Sequence, residues 1–308
     1  MIKRAAPSDT ERIMRLVYKQ YGELNYDRTL YDKDKLFDGI KTEKYRFWLA
    51  EYDGQDAGLV CLKAHPHFIG TYEGCTLSVL PEYRRHGIAK KLSDTMQSTF
   101  DSVRAASIFY SILTVRTLEE EREYENGCKP TGFALDRFLF DKGAVNLSSE
   151  SLPKRRHHIF LVLPLDKKQT SKLFIPPQIE NFVRNIYSDL GVTIGDTEAE
   201  PMTGEIVDYP ENAYREYYSI LPDVKTDENI AANLFLDMTD RRTPERYKQL
   251  LRDGWRFTGI KPLQTTSEYI IMHKGDINEG LNESKTLTAF LTQKEDIRRI
   301  GNIEKDTL

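Results

Sequence analysis

Apolar positions recur at strand spacing over Ile2 to Ala5, Tyr45 to Tyr52, Gly58 to Ala64, Tyr72 to Val79 and Ser107 to Val115. At helical spacing they recur over Ser8 to Tyr21, Asp34 to Thr42 and from Ile88 to Phe100. A helix carrying Glu119 to Tyr124 and two further strands, Gly132 to Phe140 and His157 to Leu163, complete the first half. This succession predicts an α/β domain. Ser8, with Glu11 three residues on, has the form of a capping box for the first helix. Asp53-Gly54, set between two apolar runs, has the form of a hairpin turn.

The most specific chemistry lies where the fourth strand ends. Val79-Leu80-Pro81-Glu82-Tyr83-Arg84-Arg85-His86-Gly87-Ile88-Ala89 closes an apolar strand with an Arg-x-x-Gly-x-Ala loop that opens a helix. Successive N–H groups from Arg85 to Ala89, together with the positive end of the helix, would favour a phosphate anion. Gly87 allows close backbone approach. This segment resembles motif A of the GNAT N-acetyltransferase superfamily, in which such a loop holds the pyrophosphate of acetyl-CoA. The element order over roughly residues 1 to 165 resembles that family as well. The resemblance implies a GNAT fold, with a mixed central sheet flanked by helices, and Arg84, Arg85, His86, Gly87, Ile88 and Ala89 as the cofactor-binding loop. It further implies that backbone groups of Leu77 and Val79 pair with the pantetheine arm in a gap beside their strand. Glu73 stands eleven residues before Arg84, where many family members keep a catalytic Glu; it reads either as the general base or as a strand-end surface residue. Tyr124 lies in Tyr124-Glu125-Asn126-Gly127, one position away from the family's Tyr, whose place Glu123 takes. It reads as the acid for the departing thiolate or as a packed helix aromatic. The activity implied is direct acetyl transfer to a small-molecule or peptide amine in a ternary complex. No acyl-enzyme is expected, because neither Cys75 nor Cys128 has an evident His and acid beside it. The alternative is a non-catalytic acyl-CoA sensor.

A second message is internal repetition. Gly127-Cys-Lys-Pro-Thr-Gly-Phe133 matches Gly254-Trp-Arg-Phe-Thr-Gly-Ile260 in pattern, and each enters an apolar strand. Pro7, Glu11, Arg15, Tyr18 and Gly22 recur as Pro176, Glu180, Arg184, Tyr187 and Gly191 at one constant offset. These matches predict a second, reduced GNAT-like lobe without a pyrophosphate loop. The expected organisation is a catalytic domain over residues 1–167, a degenerate domain over 168–278 and a polar, partly helical tail over 279–308.

Composition adds bounds. The chain has 308 residues, 30% charged and 39% hydrophobic, with a net charge of −4, which argues against nucleic acid as the main partner. No apolar run reaches membrane-spanning length, and Asp9, Glu11 and Arg12 follow Met1-Ile2-Lys3-Arg4 where a signal core would lie. Three cysteines without disulfide or zinc spacing point to a reducing cytoplasm. No metal is expected, since His65-Pro66-His67 lacks acidic or Cys neighbours and reads as a polar loop. Tyr18, Tyr21, Tyr26 and Tyr31 fall in the segment that walls the acceptor site in the family, with Tyr18 and Tyr21 read as core-facing. A homodimer is a family expectation only.

Overall fold

The computed structural model describes residues 1–22, 25, 27–65, 70–103, 105–113, 117–139, 155–165, 169–198, 213–216, 232–264 and 267–274. His67, Tyr26 and the tail over 279–308 lie outside these residues. Contacts divide the chain into two units: Met1–Tyr110 with Phe140–Lys154, and Ser111–Leu139 with Arg155–Leu308.

In the first unit β1 (Ile2–Arg4), β2 (Tyr45–Tyr52), β3 (Gln55–Ala64) and β4 (Thr71–Val79) pair antiparallel in sequence order. β5 (Ser107–Leu113) then adds parallel to β4, which makes the sheet mixed. The β2–β3 hairpin turns on Asp53 and Gly54 with φ of 49° and 74°, the double left-handed turn that Asp-Gly favours. Cross-strand partners share a face, so Phe47, Cys61 and Cys75 lie together on one side. That side packs on α1 (Thr10–Tyr21) and α2 (Lys33–Lys41) through Ile13, Leu16, Val17, Leu36 and Ile40. α3 (Ile88–Gln97) buries Ile88, Leu92 and Met96 against β2, β3 and β4, outside that cluster. Helices thus cover both faces of the sheet.

Two local expectations need correction. The side-chain cap before α1 comes from Asp9 alone, not from Ser8 and Glu11, because a single 3-10 turn over Pro7–Asp9 delays the α-helix by two residues. Asp9 Oδ2 accepts from the Ala6 N–H at 3.0 Å, while Glu11 instead pairs with Lys33 at 2.6 Å. Tyr18 is 57% exposed and does not face the core, whereas Tyr21 packs against it.

The second unit holds α4 (Thr117–Glu125), β6 (Lys129–Leu139), β7 (Arg155–Pro164), α5 (Glu180–Asp189), β8 (Ala213–Glu216), β9 (Ala232–Asp237), α6 (Thr243–Arg252), β10 (Arg256–Gln264) and β11 (Ser267–Lys274). Its antiparallel strands run in the order β7, β6, β10, β11, β9, β8. The repeated Thr-Gly segments meet here. Gly132 of β6 pairs with Gly259 of β10, and the Thr258 hydroxyl donates to the Phe133 carbonyl at 2.8 Å. Phe160, Phe235, Tyr187, Tyr247 and Tyr269 fill the interior, where the Tyr187 hydroxyl donates to Glu268 at 2.7 Å. That hydrogen bond supplies a partner for a carboxylate that burial would otherwise penalise.

Candidate functional site

Three features of the first unit converge on the end of β4. The first is a fork. β4 pairs with β5 only at Thr71, Tyr72 and Glu73; beyond Glu73, among the described residues, β4 is paired on its β3 side alone. Glu73, opposite Phe109, is therefore the last residue before the two parallel strands part. Gly74 comes next, and a Cβ there would stand 2.2 Å from the Tyr110 ring, so this position has no room for a side chain.

The second feature is a bulge. The register between β3 and β4 shifts between Cys61↔Cys75 and Leu59↔Ser78, which leaves Thr76 and Leu77 opposite Val60 alone. Thr76 takes φ of 55°, a left-handed conformation that a β-branched residue adopts only under constraint. Bulges of this kind bend a strand and re-aim its backbone. Leu77 lies in the bulge and Val79 at the strand's end. The Val79 carbonyl accepts from Arg84 Nε at 3.2 Å, so this oxygen is engaged by the loop itself.

The third is the loop. Pro81–Tyr83 form a 3-10 turn, Arg85 and Gly87 take φ of 66° and 71°, and α3 begins at Ile88. Left-handed residues at alternate positions turn consecutive N–H groups toward one point. The N–H of Lys91 is the first to return to the helix, donating to the Gly87 carbonyl at 3.1 Å. Among the described residues, none of the N–H groups from Arg85 to Lys90 has an acceptor within the chain. A Cβ at Gly87 would meet nothing within 4 Å, so the space above the loop is open. Six convergent donors at a helix N-terminus fit an anion such as a pyrophosphate. The His86 ring is set beside Tyr52, with centroids 4.7 Å apart and the Tyr52 hydroxyl 3.4 Å from Nδ1.

On the α1 and α2 side of the fork lies a charged group that the sequence did not announce. Lys63 stands directly opposite Glu73 across β3 and β4. Its Nζ is 2.6 Å from Asp27 Oδ2, which also accepts from the Tyr45 hydroxyl at 2.8 Å. Burial by itself pushes Asp27 up, but the Lys63 charge and the hydrogen bonds from Lys63, Tyr45 and Thr29 outweigh it and hold the carboxyl below its usual range. Burial likewise pulls Lys63 down, and the charges of Asp27 and Glu73 overcome this, leaving the ammonium well above its usual range. A depressed carboxyl contributes stability that is present above the unfolded pKa and lost as pH falls. Asp27→Asn should therefore flatten the acid loss of stability between about pH 5 and pH 2; urea midpoints against pH measure this, and an unchanged slope would refute the ion pair.

Tyr124 belongs to the second unit. It is half-buried on α4, and its carbonyl accepts from the Gly127 N–H at 2.9 Å. Glu123 points inward at 2% exposure, bonded to Arg122 at 3.2 Å. The one-residue displacement seen in the sequence thus puts a carboxylate, not a phenol, on the inner side of the helix.

The site elements from β2 to α4 are the ones covered by a family match. Residues 43–125 match the acetyltransferase (GNAT) domain. No curated protein matches the chain. Solved structures that resemble it include a ribosomal-protein-alanine N-acetyltransferase from Brucella melitensis, at 13% identity and a TM-score of 0.42 over 54% of this chain and 99% of that one. A second is yncA from Salmonella typhimurium with its cofactor acetyl-CoA, at 16% identity and 0.42 over 54% and 94%. A third is the Bacillus subtilis acetyltransferase in complex with CoA, at 17% identity and 0.40 over 53% and 97%. Within the matched segment lie Glu73, Leu77, Val79 and the whole Arg84 to Ala89 loop. Among the described residues no group of three His, Cys, Asp or Glu side chains could hold a metal, and no helix is long and apolar enough to cross a membrane.

Proposed function

We propose that the chain is an acetyl-CoA-dependent N-acetyltransferase that moves the acetyl group directly to an amine acceptor. The observation that carries this reading is the loop: six N–H groups without acceptors among the described residues, at the start of α3 and under open space, inside the segment that matches the GNAT domain. The acetyl thioester supplies the activated carbonyl. The N–H groups from Arg85 to Lys90 would take the pyrophosphate, and the unpaired side of β4 from Gly74 to Val79 would take the pantetheine arm as an added strand. An N–H of this stretch would stabilise the carbonyl oxygen as charge develops on it. Glu73, at the fork, would accept the proton that the attacking amine must lose, and the departing thiolate would take up a proton from Tyr124 or from solvent.

We further propose that the second unit contains a reduced copy of the first fold. In support, the repeated helix ends at Gly22 and at Gly191 with φ of 57° and 66°, and the repeated Thr-Gly segments lie as antiparallel partners. Among the described residues, β8 pairs with β9 antiparallel over four residues, unlike the parallel pairing of β4 with β5. This favours a role other than cofactor binding for the copy. Against strict equivalence, Tyr187 is 1% exposed whereas its counterpart Tyr18 is exposed.

Calorimetric titration with acetyl-CoA tests the main reading. Wild type should bind one equivalent, and Gly87→Asp should lower affinity by about 100-fold or more, or ~2.7 kcal/mol. Asp tolerates the left-handed backbone, and open space surrounds the position, so folding should change by no more than about 1 kcal/mol. A wild type that fails to bind would overturn the proposal; equal binding by both proteins would move the site elsewhere. Thiol release in the presence of an amine panel then separates an enzyme from a sensor, which binds without turnover.

A further inference from the structure

Lys63 is a buried cation that the acetyl-transfer chemistry does not itself require. Only 17% of its side chain is exposed; it is paired with Asp27 and stands opposite Glu73 in the register of β3 and β4, two carboxylates from different parts of the chain. Asp27 arrives from the connection between α1 and α2, and Glu73 from β4. We propose that Lys63 is a positioning residue for the transfer reaction: it fixes Glu73 at the fork of β4 and β5 as a carboxylate aimed at the acceptor, and uses Asp27 as its anchor. This rests on the acetyltransferase reading and adds to it the residue that makes Glu73 usable.

Several observations support the assignment. The register runs unbroken from Cys61↔Cys75 through Leu62↔Gly74 and Lys63↔Glu73 to Ala64↔Tyr72, so Lys63 and Glu73 share one face with no bulge between them. Directly opposed opposite charges on a sheet attract at short range. Asp27 takes the Lys63 ammonium at 2.6 Å, and the Tyr45 hydroxyl binds the same oxygen, so the anchor has its own support from β2. Among the described residues, ionisable groups around this point also include the Tyr45 phenol opposite Lys63 on β2, the His65 ring, 5.9 Å from that of Phe109 opposite Glu73, and the Cys61 and Cys75 thiols on β3 and β4; burial pushes the Cys61 thiol up, which keeps it uncharged. A general base must stand within hydrogen-bond reach of the proton it takes, and a misplacement of about 1 Å can cost roughly 10²-fold in rate.

The test combines kinetics with a measurement that needs no turnover. In Lys63→Met, kcat for the acceptor should fall by roughly 10²-fold while acetyl-CoA affinity stays as in wild type. Asp27→Asn, which leaves Lys63 opposite Glu73, should lose less activity than Lys63→Met. In a Glu73→Gln background Lys63→Met should cost little more, because the two act through one group. If Lys63 serves only to close the Asp27 segment, both single variants lose stability and neither changes kcat per folded molecule; that result overturns the proposal. A wild type that acetylates no amine overturns the enzymatic reading instead. Positioning is then decided by side-chain 13C relaxation of Glu73, assigned through Glu73→Gln. Its order parameter should drop in Lys63→Met, and an unchanged value would refute the proposal.

Discussion

Gly259→Ala is expected to be the most damaging single substitution in the second unit. A Cβ at this position would stand 2.2 Å from the Gly132 Cα and 2.6 Å from the Thr131 carbonyl oxygen, both backbone atoms that no rotamer change can move. The φ of 134° adds strain that an L side chain does not relieve. Overpacking and backbone strain each cost about 1–3 kcal/mol, so the combined loss should be about 2–5 kcal/mol. For a unit of this size that corresponds to a fall in melting temperature of roughly 10 °C. Gly254→Ala is the control: φ is 84° there too, but a Cβ would meet nothing within 4 Å, and the expected cost is only about 1 kcal/mol. Differential scanning calorimetry of both variants checks the contrast. Similar melting temperatures for the two would mean that β6 and β10 do not approach as closely as their pairing requires.

The second large effect is on rate. Glu73→Gln should lower kcat by roughly 10²- to 10⁴-fold, the usual contribution of a positioned base. Acetyl-CoA affinity should not change, because Glu73 sits at the paired end of β4 and the N–H cradle follows the opposite end. Gln keeps the size and hydrogen-bonding capacity of the side chain and removes its charge, so a fall in kcat reports proton transfer and not packing. A Glu73→Gln enzyme with wild-type kcat would leave the base to another group or to water. A loss confined to acetyl-CoA affinity would instead make Glu73 a binding residue.

The first unit was legible because its signals are local. Alternation over Tyr45 to Tyr52 reproduces β2 to the residue, and Asp53-Gly54 turns where its chemistry says it should. The turn into α3 could be read for the same reason: a left-handed Gly87 before an amphipathic helix leaves a mark in adjacent letters. What stayed hidden depends on long-range register. Lys63 and Glu73 become neighbours only when β3 and β4 are paired, as do Cys61 and Cys75, which lie opposite each other as free thiols despite a spacing that suggests no relation. The signal was present in weak form, since Cys61-x-Lys63 and Glu73-x-Cys75 mirror each other around the connection. The Ser8 and Glu11 reading failed for a different reason: Pro7 begins a 3-10 turn, and Asp9, two residues before Glu11, reached the Ala6 amide first. Tyr18 shows that an aromatic at helical spacing can still face outward when the sheet offers its helix only a narrow stripe.

The left-handed Thr76 has a consequence for the speed of ligand capture. Its strain is a cost met once, as the chain folds, and the departure of β4 from β5 is already present in the free protein. A ligand docking along this strand, as proposed, would meet a bend that is already made, so this part of its groove would cost it no ordering entropy and would not slow its association.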